Sequence, residues 1–240
     1  MSYDSGNRWA VRSAMPGVDI DVGLRQYMLR IYNYMASGLA LTGIVAYAAA
    51  ASGFYYQIAG TPLIWVVMLA PLGLVFWLSA GIDRMSAGTA QLLFWVYAAL
   101  MGLSLGGIFL LYTGASIARV FFITAGTFAA MSLYGYTTKR DLTQFGSFLM
   151  MGLIGIIIAS LVNMFIGSSA LQFAISVIGV IVFVGLTAWD TQQIKEMYVD
   201  DVSAGGEAAS KTAIMGALRL YLDFINLFMM LLQLLGTRRD

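Results

Sequence analysis

Seven long runs of apolar residues, separated by short polar segments, make up most of this 240-residue chain. A helix needs roughly 20 apolar residues to cross the hydrocarbon core of a bilayer, and each run is close to that length. The runs occupy residues 31–51, 63–82, 89–111, 117–136, 148–166, 170–189 and 220–236. Each is apolar on nearly all sides, as helices surrounded by lipid must be. The pattern predicts an all-α integral membrane protein, a seven-transmembrane-helix bundle.

Composition supports a membrane protein and excludes several kinds of chemistry. Sixty per cent of the residues are hydrophobic, 10% are charged and the mean hydropathy is +0.82. The net charge of +1 offers no basic surface for nucleic acid. Because cysteine and histidine are both absent, disulfides, Cys/His metal sites and Ser-His catalysis are ruled out. We therefore expect neither an enzyme nor a resident cofactor.

The loops carry their positive charge on one side, which predicts the orientation of the chain. Residues 1–27 are polar and predict a cytosolic N-terminal tail, ahead of a membrane domain over 28–240. With this tail inside, the lysines and arginines of the inside segments are Arg8, Arg12, Arg25, Arg30, Arg84, Lys139, Arg140, Lys195 and Lys211, whereas the three outside loops have none. We predict a cytosolic N-terminus and, because no organelle signal is present, a bacterial plasma (inner) membrane.

The last apolar run can be placed in two ways. If it crosses the membrane, Arg238 and Arg239 lie outside, against the charge rule; if it is re-entrant, they return to the cytosolic side. Residues 220–236 form a helix about 25 Å long, which is short but sufficient to cross. We favour a full crossing.

Two carboxylates near the last two spans are the strongest candidates for function. Ionisable groups inside a membrane are costly, and each is by default a functional hypothesis. Asp190 ends the sixth predicted span, and Asp223 lies about one turn inside the seventh. Antiparallel neighbours would bring the two to a similar depth, provided residues 212–219 extend the last helix into the cytosol. Asp190 could equally be a solvated helix end, and Asp223 could pair with Arg219, four residues before it on the same helical face.

A carboxylate pair would allow a chain without histidine to sense pH. Two neighbouring carboxyl groups in a poorly hydrated site cannot easily both ionise, so they would share a proton and could titrate near physiological pH. Arg84, at the cytosolic end of the second span, is a latch candidate for the remaining charge, although it could simply pair with Asp83. Asn163 and Asn226 are candidates for lining a path, or could only bond across helices. Arg119 lies near a helix end, where it can reach the headgroups.

Several stretches resemble one known family. They are residues 102–105, 112–116, 132–142, 189–192 and 220–228, and they closely resemble the Bax inhibitor family of membrane proteins, with a likeness that extends from about Arg25 to the C-terminus. The resemblance implies a seven-helix bundle and a pH-sensitive calcium leak governed by a pair of aspartates in the last two helices. It places those roles on Asp190 and Asp223, with weak, transient calcium contacts. The family's latch arginine on the second helix has no matching motif here, so Arg84 is chosen by position alone.

The same residues are compatible with other functions. A membrane protein that transports nothing, and instead binds and modulates a protease or channel partner, would need the aspartates only for structure. An intramembrane aspartyl protease is a more distant alternative, because residues 220–223 lack the Gly-x-Gly-Asp motif and no Pro-Ala-Leu is present. A retinal protein needs a mid-membrane lysine, which the seventh span lacks. Lipid and calcium are the expected partners.

The predicted orientation can be tested with topology reporters. A reporter fused at Gly60 should behave as exterior and one fused at Gly205 as cytosolic, because the positive loops stay inside. Activity of a periplasm-dependent and a cytosol-dependent reporter at both positions would measure this. An exterior Gly205 reporter would contradict the orientation.

Overall fold

A computed structural model of the protein describes residues 17–58, 60–201 and 206–239, and these are almost entirely helical. The helices are α1 Gly17–Ala51, α2 Phe54–Ile58, α3 Leu63–Gly81, α4 Ala87–Leu105, α5 Ile108–Leu111, α6 Gly114–Thr137, α7 Thr143–Ile166, α8 Ser169–Asp201 and α9 Gly206–Leu235. Seven of them are long and apolar enough to span a membrane, all except α2 and α5. The described residues contain no strand, only an isolated bridge between Tyr112 and Arg238. The all-α, seven-span prediction is confirmed.

Several helices extend beyond the apolar runs that predicted them. Helix α1 begins at Gly17, inside the segment predicted as a polar tail over 1–27, and residues 1–16 of that tail lie outside the described residues. Helix α7 begins at Thr143 instead of 148, α8 continues past 189 to Asp201, and α9 begins at Gly206 instead of 220. The predicted bounds marked the ends of the apolar runs, not the ends of the helices. Because adding a polar residue to an existing helix costs little, each helix can continue beyond its apolar run.

Alternating helix directions give the bundle two faces. The N-terminal face holds the start of α1 and the connections α3–α4, α6–α7 and α8–α9, while the C-terminal face holds the other connections and the end of α9. At the C-terminal face α7 ends at Gly167, whose φ of 68° is left-handed and whose N–H donates to the Asn163 carbonyl. Glycine adopts this conformation without a steric penalty, so the chain can turn at once into α8.

The last helix crosses the bundle completely. The backbone N–H of Thr113 donates to Thr237 O at 3.1 Å, and that of Arg239 donates to Leu111 O at 2.9 Å. The Thr237 N–H also donates to the Ser116 hydroxyl at 2.8 Å. Since residues 111–116 lie at the C-terminal face, the end of α9 lies there too. The favoured crossing is confirmed, and a re-entrant seventh segment is excluded.

Helix α9 is the centre of the bundle. It packs against α1, α4, α6 and α8, and buried side chains occur along it from Ala213 to Leu232. In contrast, α3 packs mainly on α4, and α7 packs on α8. These two outer helices expose large apolar side chains, such as Trp77 on α3 and Phe165 on α7. In a bilayer those side chains meet lipid.

Glycines allow close contact between helix backbones, as small residues do in membrane bundles. A Cβ at Gly102 of α4 would lie 2.6 Å from the Thr42 carbonyl oxygen of α1, and one at Gly106 would lie 2.9 Å from the Ala46 carbonyl oxygen. These two glycines therefore allow α4 and the residue that follows it to pack closely on α1. A third close contact joins α6 to α8, where a Cβ on Gly135 would overlap the Ala188 carbonyl.

We expect Gly135→Ala to destabilise the protein, because the backbones of α6 and α8 would have to move apart. A loss of about 1–3 kcal/mol is typical of overpacking. Gly126→Ala, on the same helix but with open space around it, is the matched control and should be neutral or slightly stabilising. Unfolding in mild detergent measures both variants, and equal stability of the two would contradict this close contact.

Candidate functional site

The structure brings Asp190 of α8 and Asp223 of α9 together. The two helices lie side by side as antiparallel neighbours, and the carboxyl groups of the two aspartates are within hydrogen-bonding reach of each other. Asp223 is only 5% exposed, whereas Asp190 is half-buried. An ionised carboxylate can only accept hydrogen bonds, so two facing carboxyl groups can bond to each other only when one carries a proton. The geometry is therefore that of a proton-sharing pair.

Burial makes the charge state of this pair important. The Oδ2 atom of Asp223 is shielded from solvent and has no hydrogen-bond partner among the described residues. A buried carboxylate oxygen without a hydrogen-bond donor is costly in its charged form, because it has lost the water that would otherwise stabilise the charge. The site thus favours a state in which the pair carries fewer charges than two free carboxylates.

The aspartates lie deeper than the sequence predicted. Asp190 does not end its helix, because α8 continues through Lys195, whose Nζ donates to the Tyr136 carbonyl at 2.9 Å near the end of α6. Asp190 is five residues earlier, about 7 Å further from the N-terminal face. Asp223 can reach the depth of Asp190 only if residues 212–219 are helical. This condition is met, because α9 begins at Gly206.

Arg219 is the cation of this site. It precedes Asp223 by one helical turn, its side chain is exposed, and its charge acts on both aspartates. The four-residue spacing suggested a local ion pair. The structure instead has one exposed arginine whose charge acts on two carboxyl groups without a direct ion pair to either among the described residues. Because Arg219 is exposed, its attraction is weakened by any solvent or headgroup that reaches it.

Arg84 is not brought to the aspartates. It lies exposed in a short 3-10 turn at the end of α3, and α3 packs on α4 while α4 in turn packs on α9. No hydrogen bond or ion pair joins the Arg84 side chain to Asp83 or to the pair in the described part of the chain. A latch by Arg84 would require α3 to move, and it stays a prediction. The buried Pro71 lies within α3, whose helix is continuous from Leu63 to Gly81.

The two asparagines lie in different environments. Asn163 is buried at the C-terminal face, where its Oδ1 accepts from Ser168 N and its Nδ2 donates to Gln172 Oε1. These bonds fix the turn between α7 and α8. They agree with the second expectation for Asn163, namely that it only bonds to a neighbouring helix. Asn226 is half-buried on α9, one turn beyond Asp223, and its Nδ2 donates to the Leu222 carbonyl. A role for Asn226 in lining a path stays a prediction.

Arg119, expected to reach the headgroups, is exposed near the start of α6 at the C-terminal face. Its position agrees with an anchoring role.

Sequence reasoning missed a chain of buried hydroxyl groups beside the pair. Tyr32 of α1 bonds Ser132 of α6 at 2.6 Å, and Ser132 bonds Thr191 of α8 at 2.9 Å. The Thr191 hydroxyl also donates to the Thr187 carbonyl. Thr191 directly follows Asp190, so this chain ties three helices together at the level of the site. Single hydroxyl residues in apolar spans are common, and only the helix packing shows which of them meet.

A second set of missed residues lies on the same two helices at the C-terminal face. Gln172 Nε2 of α8 donates to Gln233 Oε1 of α9 at 2.6 Å, and the Ser176 hydroxyl donates to the same oxygen at 2.7 Å. The signal that could have revealed them is an amide side chain within an apolar span, which Gln172 and Gln233 both provide. They hold the far ends of α8 and α9 together.

Fold and site together define the class: an integral membrane protein with seven helices long enough to span a bilayer and a carboxyl pair between its central helix α9 and the neighbouring α8. A family model described as "Inhibitor of apoptosis-promoting Bax1" matches residues 24–240. The chain belongs to the Bax inhibitor family, as its motifs predicted.

Curated relatives agree with this family over nearly their whole length. The chain is 55% identical to the uncharacterized protein RP147 of Rickettsia prowazekii, covering 92% of this chain and 93% of that protein. It is 52% identical to the inner membrane protein YbhL of Escherichia coli, covering 90% and 94% respectively. It is 37% identical to the uncharacterized membrane protein SpyM3_0260 of Streptococcus pyogenes, again covering 90% and 94%. The prediction of an integral membrane protein is confirmed, and a bacterial inner membrane agrees with the name of YbhL.

Proposed function

We propose that this protein is a pH-sensitive calcium leak channel, opened by protonation of the pair formed by Asp190 and Asp223. One observation carries the proposal: a buried carboxyl and a half-buried carboxyl face each other on adjacent helices, and the charge of Arg219 acts on both. Such a site changes its net charge by one proton without needing histidine. Membership of the Bax inhibitor family, with the calcium leak that the resemblance implies, supports the same function.

Protonation acts through the attraction between the pair and Arg219. At neutral or alkaline pH the pair holds one proton or none, so at least one negative charge attracts the guanidinium group. Acidification adds the remaining proton, and the attraction disappears because a neutral carboxyl group has no charge to offer. Helices α8 and α9 then lose one of the interactions that hold them at this level. The leak therefore rises as the pH falls.

Calcium would contact the pair only in passing. Ca²⁺ takes about six to eight oxygen ligands, and two carboxylates supply only part of that shell. Conduction also requires sites from which an ion can leave. We therefore assign Asp190 and Asp223 a weak, transient calcium contact, with water and Asn226 of α9 completing the path, and no enzymatic step.

Purified protein in liposomes should leak calcium about tenfold faster at pH 6 than at pH 8, the change expected for a coupling near 1.4 kcal/mol. Asp190→Asn and Asp223→Asn should each remove most of this pH dependence, because each destroys the shared proton. The double variant should change little beyond either single variant, because contacting residues are not additive. Glu196→Gln, one to two turns further along α8, is the matched control and should keep the wild-type response. Fluorescent calcium indicators inside the liposomes measure the flux.

The same assay separates the rival functions. A correctly folded protein that leaks at no pH would favour the non-transporting modulator that binds a membrane partner. Strictly additive effects of the two aspartate substitutions would show that the carboxyl groups act independently. A leak that falls on acidification would contradict the proposed sign.

The two arginines give separate expected results. Arg219→Gln should raise the leak at pH 8 several-fold and flatten the pH response, because it removes the charge that attracts the ionised pair. A change of about 1 kcal/mol, or roughly fivefold, is reasonable for an exposed cation. Arg84→Gln should have the smaller effect, because α3 does not carry Arg84 to the pair. Calcium flux at pH 8 for both variants shows which arginine attracts the ionised pair. If Arg219→Gln does not leak at pH 8 and Arg84→Gln does, Arg84 is the latch.

A further inference from the structure

A deep cleft separates α1 from α6 on the outside of the bundle. Both helices pack on the central α9, and the space between them has a volume of about 680 Å³. Its floor includes Phe128 of α6 and Phe224 of α9, and small side chains such as Ala36 and Ala129 keep the opening wide. The volume is in the range of small-molecule sites. Because the opening faces outward from the bundle, in a membrane it faces lipid.

The cleft has the length of one bilayer leaflet. Its α1 wall extends from Arg25 to Ala40 and its α6 wall from Phe121 to Tyr136, and each stretch rises about 22 Å. A bilayer measures roughly 40–45 Å with its headgroup regions, so one leaflet takes about 20–22 Å. A phospholipid tail inserted along the cleft would therefore have its headgroup level with Arg25.

The chemistry of the lining changes from one end to the other. The inner part is apolar, and its two hydroxyl groups, on Tyr32 and Ser132, are already bonded to each other at 2.6 Å. A hydrocarbon chain can lie against them without breaking a hydrogen bond to water. A polar or peptide ligand would find few partners at this depth.

The outer end is positively charged. Arg25 lines the cleft at the N-terminal face with an exposed side chain. The connection that directly follows α6 holds two exposed cations, Lys139 and Arg140, and one exposed carboxylate, Asp141, so it adds one net positive charge. Cations at headgroup level attract anionic lipids. An apolar groove of leaflet length with an arginine at its headgroup end matches an anionic phospholipid in both shape and charge.

We propose that this cleft binds one anionic phospholipid, with an acyl chain between α1 and α6 and the headgroup phosphate against Arg25. The bound lipid would fill the space beside Phe224, next to Asp223 on the central helix. The site is separate from the aspartate pair, and the proposal does not depend on the calcium leak.

Native mass spectrometry of the purified full chain tests this directly. The protein is mixed with equal amounts of phosphatidylglycerol and phosphatidylethanolamine that have the same acyl chains. We expect one tightly held lipid per protein, with about a fivefold preference for phosphatidylglycerol, the effect of one arginine near the headgroup. Arg25→Gln should remove the preference, whereas Arg30→Gln, five residues further along α1 and outside the cleft, should keep it.

Two variants that fill the cleft complete the test. Ala129→Phe and Ala36→Phe should each lower the retention of both lipids several-fold. Ala130→Phe, exposed on the same helix but outside the cleft, should retain lipid like the wild type and shows whether a new phenylalanine on α6 is tolerated. The proposal is overturned if the wild type holds no lipid or shows no preference. It is equally overturned if Arg25→Gln behaves like Arg30→Gln, or if both filling variants keep their lipid.

Discussion

The burial of a carboxyl-bearing helix at the centre of the bundle is the constraint on which the rest of this structure depends. Helix α9 is surrounded by α1, α4, α6 and α8, and it carries Asp223 into that interior. A bilayer offers no water to a buried polar group, so the protein must supply a partner. Asp190 of α8 is that partner, which makes the contact between α8 and α9 the chemical centre of the fold.

Polar contacts hold α8 and α9 in place at more than one level. The aspartates meet at one level, and Gln172 bonds Gln233 near the C-terminal face. Apolar side chains alone would permit α8 and α9 to slide or rotate, because lipid competes equally well for apolar surface. The polar contacts select one register. A change of charge at the pair therefore alters a contact that helps to set the register between α8 and α9.

The peripheral helices have a different character from the core. Helix α3 packs mainly on α4 and exposes large apolar side chains to lipid, so few contacts hold it in place. The carboxyl pair lies on α8 and α9, and α9 packs on α4. Any movement of α3 linked to the pair would have to pass through α4, which contacts both α3 and α9. The aspartate pair and α3 are thus separate elements joined by α4.

The sequence by itself determined the number of spans, because each apolar run must match the thickness of the bilayer. It also singled out Asp190 and Asp223, because a charge within an apolar run is costly and stands out. Packing decided the rest. Long apolar runs form both the helices that face lipid and the helix at the centre, so hydropathy alone does not separate the two. Only the tertiary structure showed that α9 is central, that the charge of Arg219 acts on both aspartates, and that α9 crosses the bundle fully, because these depend on how residues far apart in the chain are brought together.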